Sequence, residues 1–181
     1  MQDDQLDLAA ALLARDPSAS LARVAESAGV GRATLARHFP RREDLLRALA
    51  LRSLRAVDEA LDGLEARSTD AVDYLVRSFE ALVPLGASFH FLHAEIAVLA
   101  DREFRAELDR QLADAAELVR ALKREGAIER SVPEAWAVAT MDALLYAAWQ
   151  TVTDGELSAR DAARFASDTF LMGLAPREVF S

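Results

Sequence analysis

The segment LARVAESAGVGRATLARHFPRREDLL, from Leu21 to Leu46, decides how the rest of this chain is interpreted. Apolar or small residues recur with the spacing of one helical face at Leu21, Val24, Ala25 and Ala28. Gly29 interrupts the pattern, and a second helical run follows from about residue 32 to 38. A helix, a short turn containing glycine and a second helix are typical of a helix-turn-helix. Gly29 suits the left-handed turn conformation, and we expect Val30 and Leu35 to fill the space between the helices.

The same segment resembles the DNA-binding domain of the tetracycline-repressor (TetR) family of bacterial transcriptional regulators. The resemblance rests on AGVGRATLARHFPRREDLL, residues 28–46, set against a family pattern of roughly A-G-V-S-x-x-T-L-Y-x-H-F-x-S-K-x-x-L. The matching positions are Ala28, Gly29, Val30, Thr34, Leu35, His38, Phe39 and Leu45. An alanine-glycine turn alone is common in helical proteins. The added Thr-Leu-x-x-His-Phe and the amphipathic run after it make the resemblance specific.

Four positions depart from the family pattern. Ala36 stands where the family has Tyr, which removes a phosphate-contacting hydroxyl, and Gly31 replaces the Ser that caps this helix. Arg41 and Arg42 replace Ser-Lys and keep its positive charge. These departures leave an alternative open, in which the chain is a helical small-molecule- or partner-binding protein of the same fold with weakened DNA binding.

The net charge of −9 is unevenly distributed along the chain. Residues 1–50 are neutral, with seven Arg against seven Asp and Glu, and residues 29–47 carry five Arg against Glu43 and Asp44. The whole negative excess therefore belongs to residues 51–181. Because salt screens charge beyond about 8 Å, a basic head on an acidic body can still hold phosphates. The asymmetry favours two domains, a helix-turn-helix domain over 1–47 and a helical ligand-binding and dimerisation domain over 48–181.

A recognition helix over residues 32–38 would lie in the major groove and present its N-terminal side chains to base edges. Arg32 and Arg37 are the best candidates for guanine, since a guanidinium can bond bidentately to that base. Thr34 could reach a phosphate or a thymine methyl group. His38, Arg41 and Arg42 complete the predicted DNA-binding set.

The remaining sequence predicts an all-α protein of about nine helices. Helices are expected over residues 4–14, 43–64, 70–83, 87–100, 102–125 and 159–174, with another from a capping box at Ser131–Glu134 to about Thr153. Gly126 is expected at a helix C-terminus, and Ser20 and Ser158 at helix N-termini. The resemblance implies that the 43–64 helix transmits the effect of a bound ligand to the helix-turn-helix domain. It also implies that the last two helices form a homodimer interface. Candidate anchors of that interface are Trp136, Tyr146, Trp149, Phe165 and Phe170.

The resemblance also implies an effector cavity in the C-terminal domain, suited to a small apolar or aromatic ligand. The candidate lining is Phe79, Phe89, His90, Phe91, His93, Phe104, Met141, Leu145 and Trp149. His90 and His93 have a spacing at which two imidazoles could bind one metal ion. The favoured interpretation is that they are polar groups at the edge of the cavity. No metal site or cofactor is predicted. Phosphate loops, nucleophile elbows and HExxH motifs are missing from the sequence, so an enzyme is not expected.

The chain has no Cys, no apolar run of about 20 residues and an acidic N-terminus, which predicts a cytoplasmic protein. The sequence thus predicts a ligand-responsive regulator, a repressor in the first hypothesis, that binds a palindromic operator as a homodimer and is released by a small molecule. An activator, or a regulator that needs its ligand to bind DNA, is left open by the sequence. The effector and the operator are not encoded in any motif.

Overall fold

The structure is a computed structural model that describes residues 2–86 and 101–176 of the 181-residue chain. The described residues are helical with no β-strand among them, which confirms the all-α prediction. The helices are α1 (Asp3–Arg15), α2 (Leu21–Ser27), α3 (Arg32–His38), α4 (Arg42–Leu61), α5 (Leu64–Arg67), α6 (Ala71–Leu82), α7 (Arg102–Glu125), α8 (Glu134–Thr153) and α9 (Ala159–Leu174). A 3-10 turn, Val83–Leu85, follows α6. The helix expected over 87–100 lies outside the described residues.

The described residues divide into two compact units, residues 2–58 with 101–108 and residues 59–86 with 109–176. One division falls within α4 and the other within α7, so each of these helices belongs partly to both units. These two units are defined by how the residues pack and not by function. The domain boundary predicted after residue 47 stays a prediction.

The first unit contains the predicted helix-turn-helix. Ser20 caps α2, where its Oγ accepts from the Arg23 N–H at 3.4 Å. Gly29 has φ of +65°, and the Val30 N–H donates to the Ala25 carbonyl at 2.9 Å, so the left-handed turn is confirmed. Leu35 is 1% exposed and anchors α3. The buried core of this unit consists of Leu6, Ala9, Ala10, Leu13, Ala19, Val24, Ala25, Ala28, Leu35, Leu45, Leu46, Leu49, Ala50, Leu54 and Phe104.

Helix α4 ends earlier than the sequence predicted. The expected helix ran to about residue 64, whereas α4 ends at Leu61. Gly63 has φ of +66°, a left-handed conformation that interrupts the α-helical hydrogen bonds, and the one-turn helix α5 starts after it. The apolar periodicity continues across this break, which is why the pattern alone did not reveal it.

The second unit packs α6, α8 and α9 with the C-terminal part of α7. Its buried core consists of Ala71, Leu75, Phe79, Val83, Val119, Leu122, Ile128, Ala137, Met141, Ala148, Ala162, Ala163, Ala166 and Phe170. The predicted cap of α9 is confirmed, since Ser158 accepts from the Asp161 N–H at 3.1 Å. The predicted capping box of α8 is wrong: Pro133 is the N-cap and no side chain caps this helix. Ser131 lies too early in the chain, because a residue that precedes a proline, here Val132, is disfavoured in helical conformation, and the helix starts only at Glu134.

Candidate nucleic-acid interface

Helix α3 has one exposed face, while its other face holds it to the core of the first unit. Leu35 is buried and Thr34 is half-buried. Gly31 is the N-cap and provides no side-chain hydrogen bond, as the sequence predicted. The α3 backbone therefore depends on packing more than on capping for its position.

The exposed face of α3 carries two arginines without side-chain partners among residues 2–86 and 101–176. Arg32 and Arg37 are both exposed, and neither guanidinium is paired with a carboxylate in this part of the chain. His38 is also exposed and its ring lies 6.2 Å from that of Phe39, between centroids. Two guanidinium groups at i and i+5 can reach bases or phosphates without first breaking an ion pair.

The same face contains a residue that the sequence analysis did not select. Ala33 is exposed between Arg32 and the exposed Ala36. Residues 32, 33, 36 and 37 have the spacing of a single helical face, so the helical periodicity of the sequence could have identified Ala33 as part of this surface. Two methyl side chains between the arginines leave room for a close approach to a groove, and an alanine methyl can contact that of thymine.

The two arginines that follow α3 differ in what they contact. Arg41 is exposed and its guanidinium pairs with Asp44, with Nη2 at 3.1 Å from Oδ1. The Asp44 carboxylate also accepts from the Arg41 backbone N–H at 3.1 Å. These bonds hold the pKa of Asp44 below its ordinary value. Arg42 is half-buried and bonds instead to backbone carbonyls of the α1–α2 turn, Ala19 and Pro17.

Arg47 is the fifth arginine of the basic segment, and it is paired as well. Its Nε lies 2.6 Å from Asp101 Oδ2, and its Nη2 lies 2.5 Å from Glu103 Oε2. Asp101 also accepts from the Phe104 N–H at 2.9 Å at the start of α7. Arg47 therefore joins α4 to the first turn of α7 within one unit. Of the five arginines in residues 29–47, Arg32 and Arg37 are those that this part of the structure leaves unpaired.

The candidate ligand-pocket residues lie in different places. Phe79, Met141 and Leu145 belong to the core of the second unit or pack against it. Phe104 is buried in the core of the first unit. Phe89, His90, Phe91 and His93 lie outside the described residues. The structure thus brings three of the nine candidates together in one core and places Phe104 in the other core.

Trp149, another pocket candidate, packs on Gly86. A Cβ atom on Gly86 would lie 1.2 Å from the Trp149 Cδ1, so this contact requires glycine. The indole is buried, and its centroid lies 5.8 Å from that of the Tyr146 ring. The start of the undescribed segment at residue 87 is therefore adjacent in sequence to a tightly packed aromatic contact.

An acidic cleft of about 590 Å³ in the second unit was not predicted. It lies between the start of α6 and α7, and its lining includes Tyr74, Leu118, Glu117 and Glu125. The Glu125 carboxylate accepts from the Ala71 N–H at 3.0 Å, and that of Glu117 pairs with Arg120 at 2.7 Å. Helix capping and ion pairing account for these two carboxylates without a ligand.

Helices α8 and α9 expose large apolar side chains and a stripe of alanines. Trp136 is 63% exposed, Phe165 49% and Met172 78%. The exposed alanines of α8 are Ala135, Ala139, Ala143 and Ala147. Phe170 and Trp149, which the sequence proposed as further anchors, are buried in this chain, and Tyr146 is half-buried. Trp136, Phe165 and Met172 are thus the large apolar side chains that these two helices offer to a partner.

Membrane-spanning helices and metal-binding clusters are both missing from residues 2–86 and 101–176. None of the helices described there is long and apolar enough to cross a membrane. No group of three metal-ligating side chains occurs in the same residues.

Comparison with known proteins gives concordant matches. The family model for bacterial regulatory proteins of the tetR family matches residues 6–49. The HTH-type transcriptional repressor LfrR of Mycolicibacterium smegmatis is 35% identical over 150 residues, which cover 83% of this chain and 78% of that protein.

Solved structures match over nearly the whole chain. The TetR-like regulator LfrR from Mycobacterium smegmatis, in complex with proflavine, superposes with a TM-score of 0.79 at 30% identity and covers 96% of each chain. PfmR of Thermus thermophilus, a TetR family regulator, gives a TM-score of 0.71 at 24% identity, covering 95% of this chain and 99% of its own. The latter likeness concerns the fold alone.

Proposed function

This chain belongs to the tetR family of bacterial regulatory proteins, and on that premise we propose that it is a ligand-responsive transcriptional repressor. Its homodimer would bind a palindromic operator in the absence of ligand. The observation that carries the proposal is the exposed face of α3, where Arg32 and Arg37 have no partner among residues 2–86 and 101–176. Unpaired guanidinium groups on a recognition helix are suited to guanine edges.

The dimer would form through α8 and α9. Their exposed apolar surface includes Trp136, Phe165 and Met172, and large apolar side chains at such positions act as anchors when a partner covers them. Two-fold symmetry would place two α3 helices about 34 Å apart, one helical turn of DNA. Palindromic half-sites at that spacing are the operator that this arrangement suits.

Ligand would act by favouring a dimer conformation in which the two recognition helices no longer fit successive major grooves. Phe79, Met141, Leu145 and Trp149 remain candidate lining residues in the second unit, and an apolar or aromatic effector suits side chains of this kind. The related repressor LfrR has been crystallised with proflavine, which makes proflavine the first effector to try.

The operator proposal is tested by selecting random duplex DNA on the purified protein and sequencing the recovered pool. We expect one palindromic sequence, and we expect Arg37→Ala to lose it, because one bidentate contact discriminates a base by about 1–3 kcal/mol. Arg130→Ala is the matched control, since it removes an exposed arginine from a loop of the second unit. Failure of the wild-type protein to enrich any sequence at moderate salt would favour the alternative of a helical binding protein with weakened DNA binding.

The effector proposal is tested with the selected operator. Proflavine titrated into the protein–operator complex should raise the operator Kd, measured by fluorescence anisotropy of a labelled duplex. Proflavine also binds DNA as a general property of such dyes, so the duplex alone is titrated in parallel. Binding of proflavine to the protein with no change in operator affinity would separate ligand binding from regulation and count against release.

A further inference from the structure

Arg42 makes contacts that the family resemblance does not anticipate. It is the first residue of α4 and stands where the family pattern has a lysine. Its Nη1 donates to the Ala19 carbonyl at 2.8 Å, and its Nη2 donates to the Pro17 carbonyl. The guanidinium is therefore engaged with the backbone of the α1–α2 turn.

The turn that receives these bonds is itself ordered. The Asp16 carboxylate accepts from the Ser18 N–H at 3.2 Å and from its hydroxyl at 2.7 Å. The Ala19 N–H donates to the Asp16 carbonyl at 3.0 Å. Ala19 is buried in the core of the first unit. Two carbonyls held in this way form a fixed acceptor pair for the forked guanidinium, whereas an ammonium group has no such fork.

The bonds from Arg42 join the two ends of the segment that contains α2 and α3. Residues 20–41 contain α2, the turn at Gly29 and α3, and the bond from Arg42 to Ala19 joins the two residues on either side of that segment. Arg42 thus closes the base of the helix-turn-helix. The neighbouring Arg41 differs, since its side chain is 73% exposed and pairs with Asp44.

We propose that Arg42 is a positioning residue of the DNA-binding head: it clamps the base of the helix-turn-helix and contacts no phosphate. The proposal rests on the proposed function, and it changes the role of Arg42 from direct DNA contact to orientation of α3. Loss of the clamp lets the helix-turn-helix shift on α4, which weakens operator binding although no charge contact with DNA is removed.

The test compares Arg42→Gln and Arg42→Lys with Arg41→Gln, a matched loss of charge one residue earlier. Operator Kd is measured at several salt concentrations, at a temperature at which circular dichroism shows each variant fully folded. Arg42→Gln should raise the Kd about tenfold at every salt concentration, the equivalent of about 1.4 kcal/mol, without changing the slope of log K against log salt. Arg42→Lys should give nearly the same loss, because charge without the fork does not restore the clamp.

Two results would overturn the proposal. A phosphate contact made by Arg42 would reduce the salt slope by about 0.9 for each protomer in Arg42→Gln and would be largely rescued by lysine. A purely structural role would lower the melting temperature of the variant and leave the Kd of the folded protein unchanged.

Hydrogen exchange of the protein without DNA tests the Arg42 clamp independently of the proposed function. Arg42→Gln should speed amide exchange in residues 16–38 at least several-fold relative to wild type, and Arg41→Gln should not. Failure of the wild-type protein to select any operator would refute the proposed function. Unchanged exchange in Arg42→Gln would refute the clamp whether or not an operator is found.

Discussion

At the scale of single residues, the five arginines of residues 29–47 show that identical side chains in one basic segment do different things. Arg32 and Arg37 stand unpaired within the described residues, Arg41 and Arg47 pair with carboxylates, and Arg42 bonds to carbonyls. The net charge of the segment therefore overstates the number of groups ready to neutralise phosphates. The salt dependence of DNA binding should therefore reflect the two unpaired arginines, Arg32 and Arg37, and not the net charge of the segment.

Gly86 gives a prediction at this scale. Gly86→Ala should lower the free energy of unfolding by about 1–3 kcal/mol, because the added methyl group would occupy the space of the Trp149 ring. Urea denaturation followed by circular dichroism measures the change. Gly173→Ala is the control, since a Cβ there has no atom within 4 Å. A Gly86→Ala protein as stable as wild type would show that the packing of Trp149 on Gly86 is not tight.

At the scale of elements, the start of α7 is bound to α4 by both charge and apolar contact. Arg47 pairs with Asp101 and Glu103, and Phe104 is buried in the same core as Leu45 and Leu46 of α4. The undescribed residues 87–100, which include four candidate pocket residues, lead directly into this junction.

The junction predicts a pH dependence of stability. Hydrogen bonding from Arg47 and from the Phe104 N–H holds the pKa of Asp101 below its ordinary value. A carboxyl whose pKa is depressed on folding stabilises the protein above its unfolded-state pKa, and the contribution is lost as pH falls through the folded-state pKa. Wild type should therefore exceed Asp101→Asn in stability at neutral pH, and the difference should shrink below about pH 4.

Urea denaturation of both proteins from pH 3 to pH 7 measures this difference. Asparagine keeps the oxygen that accepts from the Phe104 N–H but puts an NH2 group in place of the oxygen that accepts from Arg47, so the comparison isolates the ion pair and its hydrogen bond from the cap of α7. Asp109→Asn serves as a control, since it neutralises an exposed carboxylate of α7 that has no ion pair among residues 2–86 and 101–176. A stability difference between wild type and Asp101→Asn that stays constant across the range would contradict the role given to the ion pair.

At the scale of the whole molecule, the proposed dimer accounts for apolar surface that a single chain leaves exposed. Phe165→Glu should raise the dimer Kd about 30-fold or more, since an anchor residue contributes about 2 kcal/mol or more. Sedimentation velocity over a concentration series measures the shift from dimer to monomer. Operator affinity should fall with it, because one recognition helix then binds alone.

Leu112→Glu is the matched control for the dimer. Leu112 is 45% exposed on α7, close to the 49% of Phe165, and it lies outside α8 and α9. The Leu112→Glu substitution should leave the dimer Kd unchanged. Equal weakening by both substitutions would point to a general effect of added charge, and no weakening by Phe165→Glu would exclude this residue as an anchor.

The sequence by itself determined the helical class, the family, the helix-turn-helix with its left-handed Gly29, and the caps at Ser20 and Ser158. Each of these depends on residues close together in the chain, where periodicity and backbone conformation carry the information. It missed the end of α4 at Leu61, because apolar spacing does not register a single left-handed residue, and the late start of α8, because the Ser131–Glu134 pattern matches a capping box that the chain does not form.

Only the tertiary structure decided which arginine is unpaired and which core each aromatic side chain joins. Arg42 meets a carbonyl 23 residues away, and Arg47 meets a carboxylate 54 residues away. Phe104 was grouped by position with Phe79, yet the two are buried in different cores. Partners so distant in sequence are chosen by the packing of whole helices. A local pattern can therefore name the residue types of a site but not the contacts that assign their roles.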